Sequence, residues 1–169
     1  LRLIVNPNDG ISFDRIVNFP ARGIGKTTVQ RLSDAASQLK IPLWEVVNDP
    51  EAVRSLAGRS AKGLLIFSEL INELQSHLLS SSPAELVQLV LEKSGYLSEL
   101  IATGTDEAEE RRRNLQELVN AALQYQEESE DANLEGFLAT AALSSDADNK
   151  DAALDRVTLM TLHSSKGLE

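Results

Sequence analysis

The stretch Phe19-Pro20-Ala21-Arg22-Gly23-Ile24-Gly25-Lys26-Thr27-Thr28, FPARGIGKTT, ends in the letters of a nucleotide-binding loop, and whether it is one decides how the chain is read. A P-loop needs G-x-x-x-x-G-K-[ST], because its early glycine lets successive backbone N–H groups turn inward onto phosphates. Five places before Gly25 stands Pro20, which has no N–H and a fixed φ, so the usual cradle does not close. Phe13 to Asn18 upstream reads as an amphipathic helical turn, not as the β-branched strand a P-loop follows. The pattern argues against ATP at this place. What survives is a Gly-x-Gly turn opening a helix, with Thr27 or Thr28 as N-cap and Val29, Leu32, Ala35, Ala36 and Leu39 at helical spacing. Such a turn still presents free N–H groups to an anion.

Outward from that turn the chain is helical. Leu1 to Val5 is a short apolar run ended by the turn signal Asn6-Pro7-Asn8-Asp9-Gly10, after which Ser12 is expected to cap Phe13 to Asn18. Pro42 suits the first turn of a short helix around Leu43-Trp44-Glu45-Val46-Val47. Ser60 to Leu79 carries Leu64, Leu65, Phe67, Leu70, Ile71, Leu74 and Leu78 on one amphipathic stripe. Ser82, Pro83 and Glu85 form an N-cap with a proline-started first turn, and the helix they open ends near Gly95. Tyr96 to Ile101 is expected to be helical. Asp106 to Glu128 is the longest helix, burying Leu115, Leu118, Val119, Ala122, Leu123 and Tyr125, and Leu134 to Leu143 follows behind Asp131 and Asn133. Ser144 to Asp151 is polar and expected to be mobile, whereas Val157 to Leu162 reads as a strand.

Composition narrows the function. With 169 residues, 42% of them hydrophobic, the chain suits one domain with a real core. No stretch approaches a membrane span and no leader is evident, which reads as soluble and unsecreted. Without cysteine there are no disulfides or thiolate metal sites, and His77 and His163 alone could offer imidazole, so no metal site is expected. The net charge of −10 would ordinarily repel nucleic acid, but it is divided unevenly. Leu1 to Lys62 holds nine Lys/Arg against six Asp/Glu, and Gly63 to Glu169 holds seven against twenty. Arg15, Arg22, Lys26 and Arg31 surround the glycine turn with only Asp14 among them, so any polyanion contact is expected in the N-terminal third.

The terminal VTLMTLHSSKGLE, Val157 to Glu169, resembles motif V of the superfamily 1 DNA helicases of the UvrD/Rep/PcrA type. The segments LRLIVNPNDGISFDRIVNFPARGIGKTTVQRL, LVQLVLEKSGY, RRRNLQELVNAA and LEGFLATAALSSD resemble, in order and spacing, the 2B subdomain that this family inserts into its second RecA-like domain. The resemblance implies an all-α, irregular multi-helix domain with a helix-hairpin-helix-like glycine turn and one edge strand at the C-terminus. It divides the chain into a 2B-like subdomain over 1–155 and a truncated motif V segment of the motor over 156–169, an excised piece of a longer protein. It further implies an accessory subdomain of an ATP-dependent 3′–5′ helicase of DNA repair or replication. That subdomain swivels to control unwinding and touches duplex without base specificity at a fork or single-strand/duplex junction. Arg22, Gly23, Ile24, Gly25, Lys26, Thr27 and Thr28 would be the DNA-binding residues. Thr161, His163, Lys166, Gly167 and Glu169 would couple DNA and nucleotide in the motor, and without their partners they are expected to be non-native here. ATP and Mg2+ would belong to the parent helicase, this piece alone carrying no cofactor and no ATPase. The partners implied are duplex DNA, the parent's motor domains and repair or replication proteins, in a bacterial cytoplasm at the nucleoid.

Blander readings stand beside these. The glycine turn alone could be a tight connection, leaving a protein-interaction module with an acidic body. Arg111, Arg112 and Arg113 face Glu107, Glu109 and Glu110 one turn away and read as a solvated helix face, not as a second nucleic-acid patch. Trp44 is expected to anchor the core, His77 to lie at the surface or boundary, and the acidic run Glu127 to Asp131 to be a solvated helix end.

Overall fold

The structure, a computed structural model, describes residues 1–143. Helix α1 (Arg2–Val5) is followed by α2 (Gly10–Ile16), α3 (Lys26–Leu39), α4 (Leu43–Val47) and α5 (Pro50–Ala57). A 3₁₀ turn, Gly58–Ser60, leads into α6 (Ala61–Ser76). Then come α7 (Pro83–Lys93), α8 (Tyr96–Thr103), α9 (Asp106–Glu128) and α10 (Leu134–Leu143). Among the described residues every regular element is helical, as an all-α domain requires, and the expected strand at Val157 to Leu162 lies outside them. No described helix is long and apolar enough to cross a membrane.

The helices bury their stripes in two neighbouring cores. Phe13, Val17, Ile24, Leu32, Val47, Val53, Leu64 and Phe67 form the first, where the Phe13 and Phe67 rings meet edge to face at 5.8 Å. Trp44 is buried there, as the core anchor expected of it. Leu86, Val87, Val119, Ala122, Leu134 and Phe137 form the second, with Tyr125 tilted against Phe137. Two helices belong to both. Leu3 of α1 enters the first core and Ile4 the second, while α6 gives Leu64, Phe67 and Ile71 to one and Leu74 to the other. The alternation of a single helical stripe across two clusters makes α6 the common wall.

Caps explain most boundaries and correct two expectations. Ser82 and Glu85 form a reciprocal capping box at the start of α7, with Pro83 in its first turn. Asp9, not Ser12, caps α2: its carboxylate accepts both the amide and the hydroxyl of Ser12, at 3.0 and 2.6 Å, so the helix begins at Gly10. Those same bonds hold the Asp9 carboxyl below its ordinary range. Gly25 in extended conformation, not Thr27 or Thr28, is the N-cap of α3. Thr28 has instead turned its hydroxyl into the protein toward Ser60. Leu123, placed on a buried stripe by spacing alone, is 43% exposed among the described residues.

Candidate nucleic-acid interface

The connection from α2 to α3 reverses the chain through a cis Phe19–Pro20 bond and a Gly23 at φ +70°, a backbone region that glycine occupies without strain. Three side chains hold this corner from beneath. The Asn18 Oδ1 accepts the amides of Arg22 and Ile24, at 2.9 and 3.0 Å. Ser60 Oγ donates to the Gly23 carbonyl at 2.7 Å and receives the Thr28 hydroxyl at 3.3 Å. Ile24 is buried in the first core.

Gly63 completes the seat. A Cβ there would collide with the carbonyl oxygen of Arg22, so the α6 backbone approaches the corner as only glycine allows. Asn18, Ser60 and Gly63 were not singled out by sequence reasoning. Only Gly63 left a signal, a helix-weakening glycine inside an apolar helical stripe.

The outer side of the corner is different. Gly23, Gly25, Lys26 and Thr27 are exposed. Thr28 and Val29 donate their amides to the Gly25 carbonyl at 3.0 and 3.2 Å, whereas the amides of Gly25, Lys26 and Thr27 have no acceptor among the described residues. They lie at the start of a helix of 14 residues, where orphan N–H groups and the helix dipole both favour an anion. Lys26 makes no ion pair among the described residues. Gly25 is neither in a left-handed conformation nor packed, since an added Cβ would meet no atom of the described residues within 4 Å apart from its chain neighbours.

Arg22 occupies a third kind of place. Its guanidinium lies over the Phe67 ring, 5.2 Å from the centroid, and is half buried. The Nη1 donates to the carbonyls of Ile16, Pro20 and, at 3.4 Å, Val17, while Nη2 donates to that of Ser94. Burial draws this guanidinium below its ordinary range, an effect partly offset by the Glu99 carboxylate. Arginine still remains protonated.

Other candidates gather no chemistry. A cavity of about 470 Å³ between α1, α2, α6 and α7 is lined largely by apolar side chains such as Leu3, Ile16, Leu70 and Val90. Among the described residues no three His, Asp or Glu side chains are grouped to hold a metal. Arg112 pairs with Glu109 at 2.7 Å across one helical turn, on the solvated face expected for it, and such exposed pairs contribute little. Thr161, His163, Lys166, Gly167 and Glu169 lie outside the described residues.

Comparison with known proteins gives this geometry a context. The family described as UvrD-like helicase C-terminal domain matches residues 1–169. The chain is 38% identical over 172 residues to DNA helicase II of Escherichia coli strain K12, 34% over 175 residues to the ATP-dependent DNA helicase PcrA of Bacillus subtilis strain 168, and 33% over 175 residues to that of Leuconostoc citreum. Each alignment covers the whole chain but only 23–24% of the relative, so the chain spans about a quarter of the length of these proteins. With its full length matched by that description, the chain belongs to the UvrD-like helicase C-terminal domain family.

Proposed function

We propose that residues 1–155 form a 2B-type accessory subdomain of an ATP-dependent 3′–5′ DNA helicase and that residues 156–169 belong to motif V of its second motor domain. The subdomain contacts duplex DNA near the fork without reading sequence, and its swivelling controls unwinding during repair or replication in the bacterial cytoplasm. The observation that supports this reading is the outer side of the corner at Gly23, Gly25, Lys26 and Thr27, where three amides find no acceptor among the described residues beside the Lys26 ammonium at the start of α3. Phosphate oxygens satisfy such amides directly, and a lysine adds charge without base preference. Ile24 and Thr28 serve the interface from below, by packing and by the hydroxyl bond to Ser60. ATP and Mg2+ act in the motor domains of the parent protein, with Thr161, His163, Lys166, Gly167 and Glu169 coupling DNA to nucleotide there.

Titration of the chain with a forked duplex at several salt concentrations tests this. Two to four phosphate contacts give a log–log salt slope of about −2 to −4. An affinity independent of salt, or preference for a partner protein with no duplex binding at all, leaves the corner as a structural turn.

A further inference from the structure

Resting on the duplex reading above, we propose that Arg22 is a positioning residue and not a phosphate ligand, and that its clamp makes the α7–α8 junction a control point for the glycine corner. The connection before the corner meets that junction three times. Arg22 Nη2 donates to the Ser94 carbonyl at 3.3 Å, the Pro20 ring lies 3.9 Å from where a Cβ of Gly95 would be, and Phe19 meets Tyr96 edge to face at 5.3 Å. Nearer in sequence, Nη1 of the same guanidinium holds the carbonyls of Ile16 and Pro20, at 3.0 and 3.1 Å, which fixes the end of α2.

A guanidinium so engaged has its donors directed into the protein. Its planar fork reaches the carbonyls of Ile16, Pro20 and Ser94 at once while the guanidinium carbon lies over the Phe67 ring, and the compact ammonium of lysine cannot span that set. Removing the fork frees the end of α2 and the junction at Ser94 together, and the backbone of residues 22–24 loses its anchor to the second half of the molecule. Glu99 of α8 sharpens the dependence. Its Oε2 is buried with no hydrogen-bond partner among the described residues, and its charge acts on Arg22. The Arg22 charge is thus part of how α8 is accommodated.

The test separates charge from geometry. Arg22→Lys keeps the charge and loses the fork, Tyr96→Ala perturbs the junction from the far side, and Lys26→Gln removes an exposed cation. Each is titrated with a hairpin duplex over a range of salt, and amide exchange is followed at Ile24 and at Leu32 in the interior of α3. We expect Arg22→Lys and Tyr96→Ala to weaken duplex binding by about tenfold with little change in salt slope, while Lys26→Gln makes the slope shallower by about 1. Exchange at Ile24 should accelerate in Arg22→Lys and Tyr96→Ala while Leu32 stays protected.

If Arg22→Lys binds like the unaltered chain and Ile24 exchange is unmoved, the proposal is overturned, because charge alone then suffices. If Lys26→Gln changes nothing, or the unaltered chain does not bind duplex, the duplex reading fails instead. The Ile24 exchange then still decides whether Arg22 orders the corner.

Discussion

Arg22 in the α2–α3 connection and Arg112 on α9 carry the same side chain in opposite settings. Arg22 is half buried and donates to four backbone carbonyls, one of them 72 positions away, whereas Arg112 is exposed and pairs with Glu109 on its own helix. The contrast extends to the regions around them. Near the corner, irregular backbone is held by polar contacts of long sequence separation from Ser60 and Arg22, beside the local bonds that Asn18 accepts. The α7–α10 half is held by an apolar cluster and by local caps such as the box at Ser82 and Glu85. Long-range polar anchoring sets where backbone amides point. A cluster of Leu, Val and Phe sets only that helices stay together.

Replacing residues on either side can break that contrast. The largest loss of stability is expected for Leu86→Ala in the second core, about 2–5 kcal/mol by denaturant unfolding. Duplex affinity per folded molecule should be unchanged, since nothing at the corner touches Leu86 directly. Gly63→Ala should cost about 1–3 kcal/mol through the collision with the Arg22 carbonyl, and it should also weaken duplex binding. If Gly63→Ala spares binding, corner position and α6 packing are independent and the contrast collapses.

Much of the second half was legible in the sequence because its signals are local. The bounds of α9 and α10 and the capping box of α7 follow from periodicity and from Ser, Thr, Asp and Asn at fixed offsets. At the corner, local reasoning located the glycine turn but assigned the caps of α2 and α3 about one turn too late. At α2 two small polar residues compete and Asp9 wins by binding Ser12 itself, whereas at α3 a tertiary partner draws Thr28 away. Ser60 claims the Thr28 hydroxyl from 32 positions away, and Ser94 claims Arg22 from farther still. Neither partnership has a sequence pattern. The exposed Leu123 fails for a related reason: spacing shows which face is apolar but not whether a neighbour covers it.

Smaller effects sharpen the picture. Ser82→Ala should cost about 1 kcal/mol by loss of the cap, read as a lower thermal midpoint with no effect on duplex binding. Asp9, whose carboxyl is held below its ordinary range by Ser12, should contribute stability that is present above the unfolded carboxyl pKa and lost as pH falls through its lower folded value. An acid titration monitored by helical circular dichroism should therefore show a slightly flatter acid limb in Asp9→Asn than in the unaltered chain.

Gly25→Ala tests the central claim most directly, with duplex affinity and thermal unfolding measured on the same sample. Beyond its chain neighbours the added methyl group meets no atom of the described residues within 4 Å, so folding stability should move by no more than about 1 kcal/mol, the exchange of one N-cap residue for another. If phosphates approach the amides of Gly25, Lys26 and Thr27, the same methyl group stands in their way, and affinity should drop by about tenfold, or ~1.4 kcal/mol. Unchanged affinity in a stably folded Gly25→Ala chain would contradict the account, because the duplex would then be bound somewhere other than this corner.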